Sequence, residues 1–362
     1  MMRLSPNLPP ATRGDRWPSS GAVSDADLEK LLANLKPTVR VFGCGGGGSN
    51  TVQRLFADSV PGAELIALNT DAQHLLKVQA HKKVLMGRHR TRGLGAGADP
   101  QVGEESARES GSIESIKACL EGSDLAFITC GLGGGTGTGS APVVAEVAHE
   151  LGILTIVVAT LPFRVEGEVR RQNAQAGLDR LKKLCDTVIT IPNDKLLELV
   201  PNLPLNQAFR FADDILARSV RSITELVTRP GLVNLDFADL RTVLADGGVA
   251  MVGFGESNGE RKAKEAAERA LSSPLLDLDI ATSRAALVNV SGGEKMTLGE
   301  AESVARIVHD RIDPSARIIW GAQVDPGLGD LLRVMVVLSG VTSEQMHAPR
   351  EAVTTGNLDV IL

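Results

Sequence analysis

The chain has no tyrosine, and its eight Phe and two Trp amount to only 3% of 362 residues. That poverty excludes the stacked aromatic platforms on which single-stranded nucleic acids are held. A net charge of −6 excludes a general electrostatic affinity for nucleic acid as well. Four cysteines, Cys44, Cys119, Cys130 and Cys185, are scattered without a C-x-x-C pair. They fit neither a zinc site nor a disulfide framework, and imply reduced thiols in a cytoplasm. Cys44 and Cys130 border glycine-rich stretches, where small size favours packing over reactivity. No apolar run approaches the roughly 20 residues of a membrane span, so direct membrane insertion is not expected. The N-terminus carries Arg and Pro without an apolar signal core. G-K-[ST] is missing from every glycine loop and N-K-x-D is missing altogether, which excludes the ordinary P-loop GTPase as far as motifs can.

What the chain has in abundance is glycine, 38 residues of it. The densest stretch, Gly131-Leu132-Gly133-Gly134-Gly135-Thr136-Gly137-Thr138-Gly139, follows an apolar run over residues 125–130 that reads as a buried strand. A helix is expected from Ser140, with Pro142 in its first turn. Strand, glycine loop and helix start make a place to hold phosphate, because backbone N–H groups and the positive end of the helix dipole converge there. The alternative, a flexible linker, fits poorly between a core strand and an apolar helix.

Read in order, residues 1–36 predict a disordered extension followed by a short helix with Leu28, Leu31, Leu32 and Leu35 on one face. Residues 39–42 predict a strand. Gly43, Gly45 and Gly48 then satisfy G-x-G-x-x-G, with a helix over 51–57, a strand over 64–68 and an acid, Asp71, beyond it. A third glycine loop spans 91–99, and one helix is expected over 102–120. Strands at 153–161 and 187–191 alternate with a charged helix ending near Lys183, which implies a parallel sheet with helices on both faces. A long helix over 208–227 carries Phe209, Ala212, Leu216, Val220, Ile223 and Val227 as its apolar stripe. Thr228-Arg229-Pro230-Gly231 breaks it. A smaller α/β unit follows, with strands near 249–253, 286–290, 317–320 and 333–338 and helices over 260–271 and 298–312. The expected division is a nucleotide-binding domain over 37–207, a connecting helix over 208–228, a second domain over 229–341 and a polar tail over 342–362.

Without a loop lysine, phosphate charge must be met by amides, the Thr136 and Thr138 hydroxyls, helix dipoles and Mg²⁺ held through phosphates and waters. Two such loops suit a di- or triphosphate. Asp236 and Asp239 admit two readings that are compatible. Asp-x-x-Asp caps a helix start, and a carboxylate can also orient or deprotonate an attacking water.

Gly131–Gly139 resembles the signature loop of the tubulin/FtsZ GTPase family. The resemblance continues through Asn69-Thr70-Asp71-Ala72-Gln73, Thr91-Arg92-Gly93-Leu94-Gly95-Ala96-Gly97, Pro192-Asn193-Asp194-Lys195 and Asn234-Leu235-Asp236-Phe237-Ala238-Asp239. It spans about residues 39–341 and is closer to the FtsZ side, archaeal branch, than to tubulin. It implies the tubulin/FtsZ fold, a Rossmann-like GTPase domain with a long central helix and a second smaller α/β domain. It further implies GTP as substrate and GDP as product, with Gly46, Gly47, Gly48, Ser49 and Asn50 lining the first phosphate loop. Gly134, Gly135, Thr136, Gly137 and Thr138 would wrap the β- and γ-phosphates. Glu166 and Arg170 would meet the ribose, while Asn193 and Asp214, with Phe209 beside them, would hold guanine. A carboxylate suits the adjacent N–H donors of guanine. Asp236 and Asp239, shaped by Asn234, would complete the site of the next subunit in a head-to-tail filament, giving assembly-dependent hydrolysis. The same resemblance places the chain in the cytoplasm at a mid-cell division ring, with division-protein adaptors docking on the tail. Two alternatives stay open: a nucleotide-gated scaffold for cell shape, and an NAD-dependent Rossmann oxidoreductase motivated by Gly43–Gly48 and Asp71.

Overall fold

The computed structural model describes residues 37–200, 204–229, 231–233, 235–245, 247–276 and 280–340. The expected N-terminal extension and its helix, Asn234 and the tail lie outside the described residues. Strand β1 (Val39–Cys44) alternates its side chains between two cores, as the period of two requires. Val39 and Val41 enter one, Phe42 and Cys44 the other. It pairs in parallel with β2 (Ala63–Asn69) on one side and β4 (Leu125–Gly131) on the other. With β3 (Lys82–Leu85), β5 (Leu154–Leu161) and β6 (Thr187–Pro192) the order is β3-β2-β1-β4-β5-β6, all parallel. This is the doubly wound order in which helices cover both faces.

On one face lie α1 (Gly45–Ala57) and α8 (Leu205–Thr228), whose Val52, Leu55, Ile215, Leu216, Val220 and Ile223 are buried on the sheet. On the other lie α3 (Pro100–Arg108), α4 (Ser110–Leu120), α5 (Thr136–Glu150) and α6 (Glu168–Leu184). The short helices α2 (Ala72–Lys77) and α7 (Asn193–Leu199) follow β2 and β6. The sheet continues through β7 (Gly248–Ser257), which adds three parallel pairs to β6, and then through β10 (Leu332–Ser339), β8 (Ala285–Gly292) and β9 (Arg317–Val324). Here β10 runs antiparallel to both neighbours. A third core lies between these strands and α10 (Lys262–Leu271) and α11 (Leu298–His309), and α9 (Phe237–Leu244) packs on β8 and β9. The α/β architecture with its parallel sheet and long helix agrees with the sequence reading.

Two differences have physical causes. The helix expected over 102–120 is two helices, because Glu109 leaves the helical region at φ −52°, ψ 138° and its carboxylate accepts the Arg90 N–H at 2.8 Å. The later strands outrun their apolar cores: β7 extends through Gly253 and Gly255. A Cβ on Gly255 would lie 2.0 Å from the Ala266 carbonyl oxygen. Glycine there admits the backbone of α10 against the strand.

Candidate nucleotide site

The chain leaves β1 into α1 on one face of the sheet and leaves its neighbour β4 into α5 on the other. Between these diverging connections lies the crevice where doubly wound sheets bind ligands. Both helices begin earlier than the glycine content suggests. Gly45–Gly48 form the first turn of α1 rather than a loop, and Thr136–Gly139 the first turn of α5, so Pro142 falls in the second turn. Glycine propensity argues against helix at these positions, and close packing overrides it. A Cβ on Gly48 would stand 2.2 Å from the Thr129 carbonyl oxygen, and one on Gly137 would stand 3.0 Å from those of both Cys44 and Gly131. The two helix starts are thereby pressed together.

Neither start has a side-chain cap or an acid in its first turn. Elsewhere Asp71, Asp99 and Thr297 cap their helices. The unsatisfied N–H groups of α1 and α5 therefore offer two positive dipole ends to one crevice. A Cβ built on Gly46 or Gly134 meets nothing within 4 Å, so the backbone there borders open space. Two hydroxyls are committed within the protein: Thr138 Oγ1 accepts the Gly133 N–H at 2.9 Å, and Thr136 Oγ1 lies 2.6 Å from Thr70 Oγ1. Ser49 Oγ is fully buried and has no partner among the described residues.

The loop after β3 closes one wall. Ala72 N–H donates to the Gly93 carbonyl and Gly95 N–H to that of Thr70. On another side Glu166 accepts the Phe163 N–H at 2.9 Å and pairs with Arg170 at 2.6 Å. The backbone of Arg170 lies so close to Gly133 that a Cβ there would be 2.8 Å from its oxygen. Phe209 is not part of the helix's core stripe; it meets Phe163 edge to face with centroids 5.1 Å apart and remains partly exposed. Asn193 is buried at the start of α7, and its Oδ1 has no hydrogen-bond partner among the described residues.

The adjacent acids of α8 face different neighbours. Asp214 forms an ion pair with Arg54 and lines a separate cleft of about 430 Å³ with Arg218, Arg221 and Arg333. Asp213 accepts from Asn50 Nδ2 at 3.3 Å, in the second turn of α1. Burial pushes the Asp213 carboxyl up to about 6, although Arg54 and Asn50 pull it down. Successive helical residues point about 100° apart, so the two adjacent acids meet different partners. Sequence reasoning also missed His74, whose Nε2 lies 3.1 Å from Asn50 Oδ1.

Asp236 caps α9 by accepting the Ala238 N–H at 3.2 Å, and Asp239 follows in the first turn; both are exposed. No hydrogen bond or ion pair among the described residues joins either to the glycine turns. The cysteines at those turns are packing residues: burial pushes the Cys44 thiol up to about 12 and that of Cys130 well above its ordinary value.

Paired, uncapped, acid-free helix starts at the switch point of a 3-2-1-4-5-6 sheet, with no P-loop lysine, define a phosphate-binding α/β protein outside the P-loop class. Residues 38–201 match the Tubulin/FtsZ family, GTPase domain, and residues 248–342 the FtsZ family, C-terminal domain. Cell division protein FtsZ 1 of Archaeoglobus fulgidus is 58% identical over 320 residues, covering 88% of this chain and 86% of that protein. Cell division protein FtsZ of Haloferax mediterranei is 56% identical over 328 residues, covering 91% and 86%. Among solved structures, an empty FtsZ dimer of M. jannaschii superposes with a TM-score of 0.84 at 52% identity, over 88% of this chain and 93% of that one. A CetZ2 protofilament of Haloferax volcanii, at 22% identity and TM-score 0.73, shares the fold. The chain belongs to the tubulin/FtsZ family of GTPases, as an FtsZ of the archaeal type. The GTPase domain at residues 38–201 sets the NAD-dependent oxidoreductase alternative aside.

Proposed function

We propose that this chain binds GTP across the starts of α1 and α5 and hydrolyses it when the α9 end of a second copy closes the site. Gly46–Asn50 and Gly134–Thr138 would hold the phosphates, Glu166 and Arg170 the ribose side, and Asn193, Phe209 and Asp214 the base. The observation that carries the proposal is a separation. The helix starts suited to phosphate have no acid in their first turns, while the water-activating candidates Asp236 and Asp239 are exposed on α9.

Carboxylates near a triphosphate are repelled unless a cation intervenes. Among the described residues no cluster of three His, Cys, Asp or Glu is placed to hold a metal. Mg²⁺ bound through phosphate oxygens and waters fits such a site and would neutralise developing charge. Leu94, Val165 and Val169, exposed by 83%, 77% and 71%, lie in or beside the segments walling the nucleotide crevice; Leu232, half exposed, precedes α9. Apolar surface at both places suits a head-to-tail contact, which gives an open filament. Relatives at 54–58% identity carry the name cell division protein FtsZ. That favours the division ring at mid-cell over the shape-scaffold reading. The tail, residues 342–362, is the proposed docking segment for adaptors. No helix among the described residues is long and apolar enough to cross a membrane.

The test is GTP turnover per subunit against protein concentration. A steep rise is expected, and turnover independent of concentration would overturn the shared site.

A further inference from the structure

The chain contains a single Asn-Gly pair, Asn258-Gly259, in the turn that joins β7 to α10. Asn258 is exposed, and its side chain has no hydrogen-bond partner among the described residues. The peptide that follows it is held by a short relay. Gly259 N–H donates to Ser257 Oγ at 3.3 Å, and the Ser257 hydroxyl donates to Glu265 Oε2 at 2.7 Å. Ser257 is buried, so solvent does not compete for its hydroxyl. Glu265 reaches back from α10 to the turn, and a Cβ on Gly259 would stand 3.2 Å from its Oε2. Glycine therefore leaves the carboxylate room beside the peptide and leaves the peptide nitrogen uncovered. A nitrogen, a hydroxyl that can take its proton and a carboxylate that orients the hydroxyl form the arrangement of an activated nucleophile. The electrophile is one residue back, at Cγ of the Asn258 amide.

We propose that this turn modifies itself: Glu265, acting through Ser257, activates the Gly259 nitrogen to attack Asn258, which loses its amide as ammonia. The Gly259 N–Cγ bond forms as the nitrogen's proton passes to Ser257 Oγ and the Ser257 proton passes to Glu265. The Cγ–Nδ2 bond then breaks, and Nδ2 leaves as ammonia with the proton returned from Glu265. Water opens the resulting imide at either carbonyl, which leaves an aspartate or an isoaspartate at position 258. Nothing is oxidised or reduced. The hydrogen bond to Ser257 lies in the peptide plane, whereas the attack uses the face of the nitrogen, so the bond polarises the nucleophile without covering it. The product adds a carboxylate to a turn already flanked by Glu260 and Glu265. Its isoaspartate form also lengthens the backbone just before α10, whose start has no side-chain cap.

The experiment incubates the full-length chain at neutral pH, folded in buffer and unfolded in guanidinium chloride. Peptide mass spectrometry follows the conversion of amide to acid and the isoaspartate at position 258. The folded wild type is expected to convert about ten-fold or more faster than the unfolded chain, because only the fold assembles the relay. Glu265→Gln and Ser257→Ala are expected to lose that advantage, and Asn258→Gln to release no ammonia from this turn. A folded rate equal to or below the unfolded one overturns the proposal, since the turn then merely exposes or protects an Asn-Gly pair. A wild-type rate in folded Glu265→Gln overturns the relay. If the variants fail to fold, the two wild-type rates decide by themselves.

Discussion

At Gly46, the second residue of α1, a side chain would point into open space beside an uncapped helix start. An acid there faces the helix dipole favourably, worth about 0.3–1 kcal/mol, and occupies ground assigned to phosphate. Gly46→Asp is therefore expected to unfold at the wild-type temperature or slightly higher while losing GTP affinity by about 100-fold or more. Thermal unfolding and nucleotide binding on one preparation check both halves. Asp213 makes a different demand. Its carboxyl is raised by burial from 3.8 to about 6, so its ionised form is disfavoured in the nucleotide-free fold. Its contribution to stability is complete below about pH 4 and is lost as pH rises through about 6, by about 1–3 kcal/mol. Asp213→Asn is expected to remove that dependence, as urea unfolding of the free protein between pH 4 and 7.5 would reveal.

Among the elements, α9 tests whether a cap is also chemistry. Asn caps a helix about as well as Asp, whereas Ala costs about 1 kcal/mol. Asp236→Asn is expected to hold wild-type stability but lose turnover by about ten-fold or more, whereas Asp236→Ala loses both. Full turnover in the Asn variant would reduce Asp236 to a cap. This cap was legible in the sequence, as were the alternation of strands and helices and the glycine-rich stretches that follow β1 and β4. The starts of α1 and α5 were not, because runs of glycine read as loop until the Thr129, Cys44 and Gly131 carbonyls crowd against them. The break at Glu109 carries no Pro, and there the Glu109 carboxylate accepts from the distant Arg90 backbone. His74 belongs to none of the motifs read from the sequence. Only the tertiary approach of Asn50 and Asn69 gives its two ring nitrogens distinct partners.

For the whole molecule, the turns proposed to hold phosphate lie at the diverging starts of α1 and α5, while α9 packs on β8 and β9 at the other end of the strand order. A site divided in this way makes hydrolysis a property of the contact between copies, and a heterologous contact that does not close extends into a filament. The decisive measurement mixes two inactive subunits. Gly46→Asp keeps its acids but cannot hold GTP, and Asp239→Ala holds GTP but lacks an acid for its neighbour's nucleotide. Each alone is expected to be nearly silent, and the mixture should recover GTP turnover well above the sum of the two, because an intact α9 of one meets the bound GTP of the other. A mixture as silent as its components would contradict an active site shared between subunits.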